Sequence, residues 1–490
     1  MDIDKQETSY MTRMAFNKNV LFLFAFIIVW SLNSSAVAAT QIITGGTTAA
    51  LGVSGDNVSL IAQPPDAVLN VPAGFNLGST NGLSTGDSVT SNPTPNNGLV
   101  NFSGNSTVTG MMGVTGQVLN DITGGAAGTT VTFNGAVSTR AIDFTAASTM
   151  IFNANSSGAL HYNTFDGTAI LGSGVTFAGA STSTAANSGV LTLNNASQYI
   201  GAIGDATFFI NKINLNANAG ITGAIASQNI VLGANTLTQT GAVTFPVNAQ
   251  ITVRALSDAA YGRINAPGSA INFTNGLTVN MLVDDPVILS GVPLQVVTGT
   301  SGTFGPGSAP ITVTSNNPRF TFTGLNPAGT GNVIIFPTIV PVTGVVSTNA
   351  SPSVPLGGSV SDTATLSGAF IPTGTITFRL FGPNDATCFN AAIFTSTVTV
   401  SGNGSYGSTP AFTPTAAGAY RWIADYSGDT NNSATANACN GANESVLVVA
   451  GIAPIPTVRD AALLLLAMLL GMSGLLSVSR ASKKRNGMLS

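Results

Sequence analysis

Histidine and cysteine side chains, which carry much of enzymatic proton transfer and metal binding, are scarce in this sequence. His161 is the single histidine among 490 residues, and Cys388 and Cys439 are the two cysteines. A Cys/His dyad or a zinc site requires several such groups held together. The composition therefore argues against both, and we interpret His161 as a surface or turn residue. No cofactor and no catalytic residue is predicted.

Carboxylates are the other groups that could carry acid-base chemistry. Asp143, Asp166 and Asp205 lie far apart in sequence, but a stacked fold could bring them together. Clustered carboxylates of this kind serve in enzymes that cleave polysaccharides, so an extracellular glycan-active enzyme remains an alternative. The pair Asp284-Asp285 precedes a proline and is most simply a turn.

A group of oxygen-bearing side chains lies near the end of the chain. Asp425, Asp429 and Asn431 fall within a few residues of one another, and calcium favours such oxygen ligands. The same residues also make an ordinary turn sequence. Both interpretations stay open, and no metal site is predicted.

Short triplets of apolar, small polar and apolar residues must position these side chains. Examples are Leu191-Thr-Leu193, Ile213-Asn-Leu215, Val243-Thr-Phe245 and Ile251-Thr-Val253. Alternation with period two places the outer residues of each triplet on one face of a strand, and Gly and Asn clusters supply the turns between strands. One such strand cannot bury its apolar face alone, so stacking on similar neighbours is expected. Residues 39–336 are therefore predicted to form an all-β, solenoid-like repeat region.

The composition favours folded β-structure and excludes one class of partner. Charged residues make up 7% of the chain, against about 25% in average soluble proteins. Hydrophobic residues make up 44%, and the mean hydropathy is +0.37, which opposes a disordered coil. Between Thr40 and Ala450 there are seven Lys or Arg and fifteen Asp or Glu, which gives this part of the chain a net charge of −8. Without basic clusters, nucleic acid is not expected as a partner.

Several segments of the repeat region resemble a known family. Tyr261–Gly268, Leu277–Leu282, Pro293–Thr298 and Gly302–Phe304 resemble the terminal passenger module of bacterial autotransporter adhesins. The earlier repeats resemble the Gly/Asn-rich passengers of rickettsia-type surface antigens. The resemblance covers roughly residues 110–336. It implies a β-helix that adheres to a ligand on a host or neighbouring cell.

Residues 342–450 differ in composition and are predicted to form a β-sandwich, because turn signals recur at regular short intervals. The segment Thr415–Asp429 resembles the late strand of bacterial Ig-like repeats. This resemblance implies an Ig-like sandwich. Tyr420 and Trp422 share one face of the strand and are expected to anchor its core.

The N-terminal residues 1–38 have the pattern of a secretory signal peptide. Arg13 and Lys18 precede the apolar run Val20–Leu32, and Ala36-Val-Ala38 offers small residues to a signal peptidase. An internal start at a later methionine and a retained N-terminal anchor are the alternatives. Export would place the mature chain in an oxidising compartment.

In such a compartment the two cysteines of one small module are expected to pair. We therefore predict a disulfide between Cys388 and Cys439, which lie near strand ends and would tie two loops together.

The C-terminal segment, 451–490, has three parts. Pro454 and the motif Ile455, Pro456 and Thr457 precede the apolar run Ala461–Val478, and a basic tail follows, which consists of Arg480, Lys483, Lys484 and Arg485. Eighteen helical residues span about 27 Å, close to a bilayer core of about 30 Å. Basic residues after the run predict a cytoplasmic C-terminus.

This arrangement resembles the C-terminal sorting domains of bacterial exported proteins that open with Ile-Pro-Thr-Leu. Here Val458-Arg-Asp460 stands where the family has a Ser-Glu-Trp pattern. The resemblance implies the envelope membrane and a sorting enzyme as partners, while a permanent single-span anchor is the alternative.

Together these features predict an exported, cell-surface bacterial protein that is not an enzyme and serves adhesion or coat formation. A glycan-active enzyme and an inert structural spacer are the alternatives. The sequence does not name the ligand.

Overall fold

A computed structural model describes residues 40–44, 48–50, 57–61, 67–77, 87–92, 98–113, 118–273, 276–304, 311–451 and 462–470. The predicted signal peptide, the motif Ile455, Pro456 and Thr457 and the basic tail lie outside these residues. The chain divides into two compact units, 1–338 and 339–490. Each unit is described by itself below.

The first unit consists of short strands. In chain order, β1 to β10 are Thr40–Thr44, Thr48–Ala50, Asn57–Ile61, Val68–Val71, Asp87–Asn92, Leu99–Phe102, Ser106–Val108, Met111–Met112, Leu119–Gly124 and Thr130–Phe133. Strands β11 to β20 are Ser138–Phe144, Thr149–Phe152, Ser156–His161, Thr168–Leu171, Thr176–Ala178, Ser181–Thr182, Val190–Leu193, Gln198–Ile200, Ile210–Leu215 and Ala219–Thr222. Strands β21 to β30 are Ile225–Gly233, Thr236–Gln239, Val243–Phe245, Gln250–Ala255, Arg263–Phe273, Thr278–Val283, Leu294–Phe304, Thr312–Ser315, Phe320–Leu325 and Val333–Ile339.

These strands pair in parallel with strands that lie one coil later in the chain. One ladder runs through β7, β10, β12, β14, β17, β19, β21, β24, β26 and β28. Paired residues are between 17 positions apart, as for Lys212 and Asn229, and 34 positions apart, as for Thr278 and Thr312. The long parallel sheet is compatible with the predicted β-solenoid, and coils of unequal length agree with the irregular spacing of the triplets.

The triplets form the core of this unit in the predicted way. Leu191, Leu193, Val243 and Phe245 are fully buried, whereas the middle residue Thr244 is half-buried. Aromatic rings of successive coils also pack against one another in the core. Phe133 and Phe152 stack with ring centroids 5.1 Å apart, Phe152 and Phe177 meet edge to face at 5.0 Å, and Phe177 and Tyr199 stack at 5.6 Å.

Asparagines at the corners tie neighbouring coils together. The side-chain oxygen of Asn105 accepts a hydrogen bond from the backbone N–H of Thr130 at 2.7 Å. Asn218 accepts one from Thr236, also at 2.7 Å. Because a corner interrupts the backbone ladder, these side chains satisfy N–H groups that would otherwise lack a partner. This role accounts for the Asn-rich spacers between triplets.

The last strand of the unit reverses the direction of the ladder. Strand β30 pairs antiparallel with β27, with Leu294 opposite Ile335. An unpaired sheet edge is a template for further strands, so this antiparallel strand covers part of the edge that the parallel coils leave at that end.

The second unit contains strands β31 to β41. They are Val342–Thr343, Val345–Ala350, Val354–Pro355, Asp362–Ser367, Thr375–Phe381, Phe394–Thr399, Gly404–Gly407, Gly418–Tyr426, Asn432–Ser433, Thr435–Ala436 and Ser445–Val449. Strands β32, β34 and β37 form an antiparallel three-stranded sheet. A second sheet has the order β33, β41, β38, β35, β36, with β40 added beside β38, and all of its pairings except β33 with β41 are antiparallel.

One hydrophobic cluster joins residues of these two sheets. It includes Leu366 of the first sheet and Phe378, Tyr420 and Trp422 of the second. Tyr420 and Trp422 are buried as predicted. Tyr426, on the same face of β38, is also buried. The predicted disulfide between Cys388 and Cys439 is present, with the two Cα atoms 6.0 Å apart.

The C-terminal apolar run is described only over 462–470, where it is helical. None of the described helices is both long and apolar enough to cross a membrane. The described residues therefore do not support the prediction of a transmembrane helix over Ala461–Val478. The rest of that run lies outside the described residues.

Candidate functional site

Outward-facing polar side chains line up on one face of the first unit. Each occupies the same register position on a successive coil, between two buried apolar neighbours in most coils. We call this set the polar row, and it consists of Asn70, Asn101, Thr123, Asp143, His161 and Thr182. Since parallel strands lie about 4.8 Å apart, its five steps extend over about 24 Å.

His161 and Asp143 form the charged part of the polar row. Nδ1 of His161 lies 2.7 Å from Oδ1 of Asp143, and the two side chains are 36% and 30% exposed. The contact follows from the fold, because the two residues are direct partners in β13 and β11. His161 therefore ends a strand rather than lying in a turn, although its ring does reach the surface as predicted.

Asp121 of β9 adds a third titratable group beside the row. Burial, a hydrogen bond to Asp143 and the negative charge of Asp143 together raise the pKa of Asp121 to about 7, while the backbone N–H of Ile122 and the charge of Arg140 oppose the shift. Asp121 is therefore partly protonated near neutral pH. When protonated, it can donate a hydrogen bond to Asp143.

The three groups form what we call the acid cluster, Asp121, Asp143 and His161. The carboxyl groups of Asp121 and Asp143 lie within hydrogen-bonding reach of each other. The acid cluster is therefore suited to sharing a proton and to accepting hydrogen bonds from a ligand.

The other carboxylates considered for catalysis have separate partners. Oδ1 of Asp166 lies 3.3 Å from the backbone nitrogen of Gly189 and 3.2 Å from the side-chain nitrogen of Asn211. Oδ1 of Asp205 accepts hydrogen bonds at 2.7 Å from two backbone N–H groups within its own loop. Both carboxylates thus bind groups of the chain itself.

The Asp284-Asp285 pair lies at a turn, and each residue makes an ion pair. Asp284 lies 3.0 Å from Arg254, and Asp285 lies 3.2 Å from the buried Arg319. The turn was predicted, whereas the two arginine partners were not. Both ion pairs join elements that are about thirty residues apart in sequence.

In the candidate calcium loop of the second unit, the carboxylate oxygens of Asp429 already accept hydrogen bonds from the protein itself. Oδ2 of Asp429 accepts from the backbone N–H of Thr373 at 2.6 Å, and Oδ1 accepts from that of Asn431 at 2.7 Å. Burial opposes ionisation, but these donors and Asn432 lower the pKa of Asp429 to about 2. Asp425 instead pairs with Arg379.

Within the described part of the chain, no three His, Cys, Asp or Glu side chains gather where they could hold a metal ion.

An open cleft of about 440 Å³ lies on a neighbouring face of the stack. Its lining has no charged side chain and consists of Gly74, Asn76, Asn105, Ser106, Thr107, Thr130 and Thr132. Asn76 and Asn105 already accept backbone hydrogen bonds from Thr107 and Thr130. The cleft therefore offers mainly hydroxyl groups to a ligand.

Asp121 and its relation to Asp143 escaped prediction from the sequence. The sequence feature that could have indicated this cluster is the spacing of its members: Asp143 follows Asp121 by 22 residues, and His161 follows Asp143 by 18. These distances approach the length of a coil in this part of the stack. The coil length, however, became known only with the strand pairing.

Comparisons with known proteins give no family for this chain. No protein-family model matches it, and no curated protein matches it. A solved structure with a match is chitinase ChiW from Paenibacillus sp. str. FPU-7, a cell-surface-expressed multi-modular enzyme, at 11% identity. The match covers 81% of this chain and 23% of that chain, so the chain spans about a quarter of the chitinase. The TM-score is 0.13, and a similarity of this size carries no argument about fold or activity.

Proposed function

We propose that this chain is an exported cell-surface protein that binds an extended ligand, such as a surface glycan, along the polar row. The observation that carries the proposal is the register of the row, in which hydrogen-bonding side chains recur once per coil over six coils. A linear polymer with repeated hydroxyl groups would meet one such side chain every 4.8 Å or so. In the cell this activity would serve adhesion or formation of a surface coat.

Export and tethering form the second part of the proposal. The disulfide between Cys388 and Cys439 is typical of oxidising compartments outside the cytoplasm, which supports a cleaved signal over 1–38. The second unit would serve as an Ig-like stalk. The C-terminal segment 451–490 would act as a sorting signal or as a permanent anchor in the envelope membrane.

Matched substitutions test the role of the polar row. The double variant Asn101→Ala and Thr123→Ala removes two members of the row, and Asn214→Ala with Thr252→Ala removes the same residue types from a different ladder. Binding of the full-length chain to a glycan array is the measurement. We expect the row variant to weaken binding at least tenfold and the control to leave it unchanged. Equal losses in the two variants would count against the row.

The acid cluster supports a second candidate function, an enzyme that acts on extracellular glycan. Asp121 and Asp143 differ in their environment, which is how a fold assigns acid and base roles to two carboxyl groups. Incubation with polysaccharides and measurement of new reducing or unsaturated ends would decide. Product release that is lost in Asp143→Asn and His161→Ala, but kept in Asp166→Asn, would favour the enzyme over the adhesin.

A further inference from the structure

The second unit carries a loop structure that none of the proposed functions uses. The loop between β35 and β36, residues 382–393, is joined by the disulfide to the loop before β41, residues 437–443. We call these two segments together the disulfide tip.

Hydrogen bonds fix the backbone of the disulfide tip. The carboxylate of Asp385 accepts from the backbone N–H groups of Asn390 at 3.0 Å and Thr387 at 3.2 Å. Asn440 donates to the carbonyl of Ala386 at 2.6 Å, and Arg421 donates to the carbonyl of Asp385 at 3.1 Å. Together with the disulfide, these contacts hold the loop in one conformation before any ligand arrives.

Phe389 lies in the middle of this fixed loop and is 89% exposed. Other exposed phenylalanines retain much more cover, as Phe165 and Phe208 do at 39%. The backbone N–H of Phe389 points to Asp385 at 3.4 Å, which directs the residue without covering its ring. An exposed ring on a rigid loop loses little conformational freedom on binding.

The two segments of the disulfide tip contribute no exposed charge to the surface around the ring. Asp385 is the single charged residue of the two segments, and it is 8% exposed. Thr387, Asn390 and Asn440 supply exposed polar neighbours. The partly exposed Arg421 of β38 adjoins these segments, but its guanidinium already donates to the carbonyl of Asp385 and to the side-chain oxygen of Asn440. The tip therefore fits a neutral partner better than a charged one.

We propose that the disulfide tip is a carbohydrate-binding site in which Phe389 stacks on the apolar C–H face of one neutral sugar ring. The negative face of an aromatic ring attracts the partly positive C–H hydrogens of such a face. One phenylalanine buries about 150–250 Å², whereas a specific protein interface needs about 1,200 Å² or more in total. The patch therefore matches a single sugar residue better than a protein. This site is independent of the polar row, which lies in the first unit.

Pull-down of the full-length chain on insoluble cellulose, chitin and mannan tests the site. Phe389→Ala should weaken binding at least tenfold, Phe389→Tyr should stay within about threefold of wild type, and the control Phe165→Ala should have no effect. The variant Asn101→Ala with Thr123→Ala, measured beside them, separates this site from the polar row. If only the row variant lost polysaccharide binding, the inference about the disulfide tip would be overturned and the proposed function of the polar row would stand. If only Phe389→Ala lost binding, the inference would stand and the proposed function of the row would be overturned.

Two further results would overturn the inference. One is a wild-type chain that binds none of the three polysaccharides. The other concerns the oligomeric state measured by light scattering. If the wild-type chain were a dimer and Phe389→Ala were a monomer with unchanged polysaccharide binding, the ring would form a contact between two copies of the chain. Circular-dichroism unfolding verifies that the variants in the first unit are folded, and Trp422 fluorescence does so for those in the second unit.

Discussion

Two buried carboxyl groups should make the stability of the second unit fall as the pH rises. Asp362 and Glu444 are each 1% exposed. Burial raises the pKa of Asp362 to about 6, although backbone N–H groups of Thr363 and Asn349 oppose the shift. Burial also raises the pKa of Glu444 to about 7, where the charge of Asp362 adds to the shift and a hydrogen bond from Asn437 opposes it.

The direction of the effect follows from where each state holds its protons. In the unfolded chain these groups lose their protons near their ordinary pKa values of 3.8 and 4.5. The folded unit keeps both protons up to about pH 6 or 7. Between these limits the folded state binds more protons, so the contribution of the two groups to the free energy of unfolding is fully present below about pH 4 and is lost as the pH rises from there through 6 to 7.

The size of the effect comes from the two shifts. Each shift of roughly two pKa units corresponds to roughly 3 kcal/mol. Because the two groups repel each other, part of the effect is shared, and we expect a total loss on the order of 5 kcal/mol between pH 4 and pH 8. Since whole domains are stable by only about 5–15 kcal/mol, the loss should be easy to measure.

Urea unfolding at a series of pH values is the assay. Trp422 is fully buried and is the single tryptophan beyond the predicted signal peptide, which contains Trp30, so the fluorescence of the mature chain reports on the second unit. Asp362→Asn keeps the oxygen that accepts the hydrogen bond from Thr363, and Glu444→Gln keeps the one that accepts from Asn437, so each substitution should remove about half of the pH dependence. Asp166→Asn in the first unit is the control. A free energy of unfolding that stays constant or rises from pH 5 to pH 8 would refute this prediction.

Three other perturbations have defined outcomes. Phe152→Ala should lower the free energy of unfolding of the first unit by about 3–5 kcal/mol, because its buried ring packs on Phe133 and Phe177; a loss below about 1 kcal/mol in circular-dichroism unfolding would contradict this. Replacing both cysteines by serine should destabilise the second unit by about 4 kcal/mol, since the bridge joins residues 51 positions apart, and two reactive thiols in the unreduced exported protein would contradict the bridge. Deleting 461–490 should release a folded chain into the medium, and recovery of that variant in salt-washed membranes would point to an N-terminal anchor instead.

Local patterns predicted which residues face the core but not which coils are neighbours. In Val243-Thr-Phe245 the alternation alone assigns both apolar side chains to the interior, and both are buried. Register between coils depends on the length of each corner, which varies from coil to coil. For that reason the contact between His161 and Asp143 could not be predicted, although each residue was singled out.

Burial of single polar or apolar residues was also beyond prediction. Phe389 follows a cysteine in an apolar-looking loop, yet the bridge and the Asp385 hydrogen bonds turn its ring to solvent. The charge of Glu444, directly before β41, would favour exposure to solvent, yet its side chain is buried and accepts a hydrogen bond from Asn437. In each case the outcome depends on contacts between segments that are distant in sequence.

The antiparallel pairing of β30 with β27 has an evolutionary consequence. The described coils before it each offer a parallel strand edge to the next coil. A gene duplication that added one whole coil could therefore insert it into the stack, where it would make the same kind of contacts as its neighbours. Such a duplication would move the terminating strand outward by one step of about 4.8 Å without changing its own partner. The reversed strand would thus keep the end of the stack the same if the number of coils before it changed.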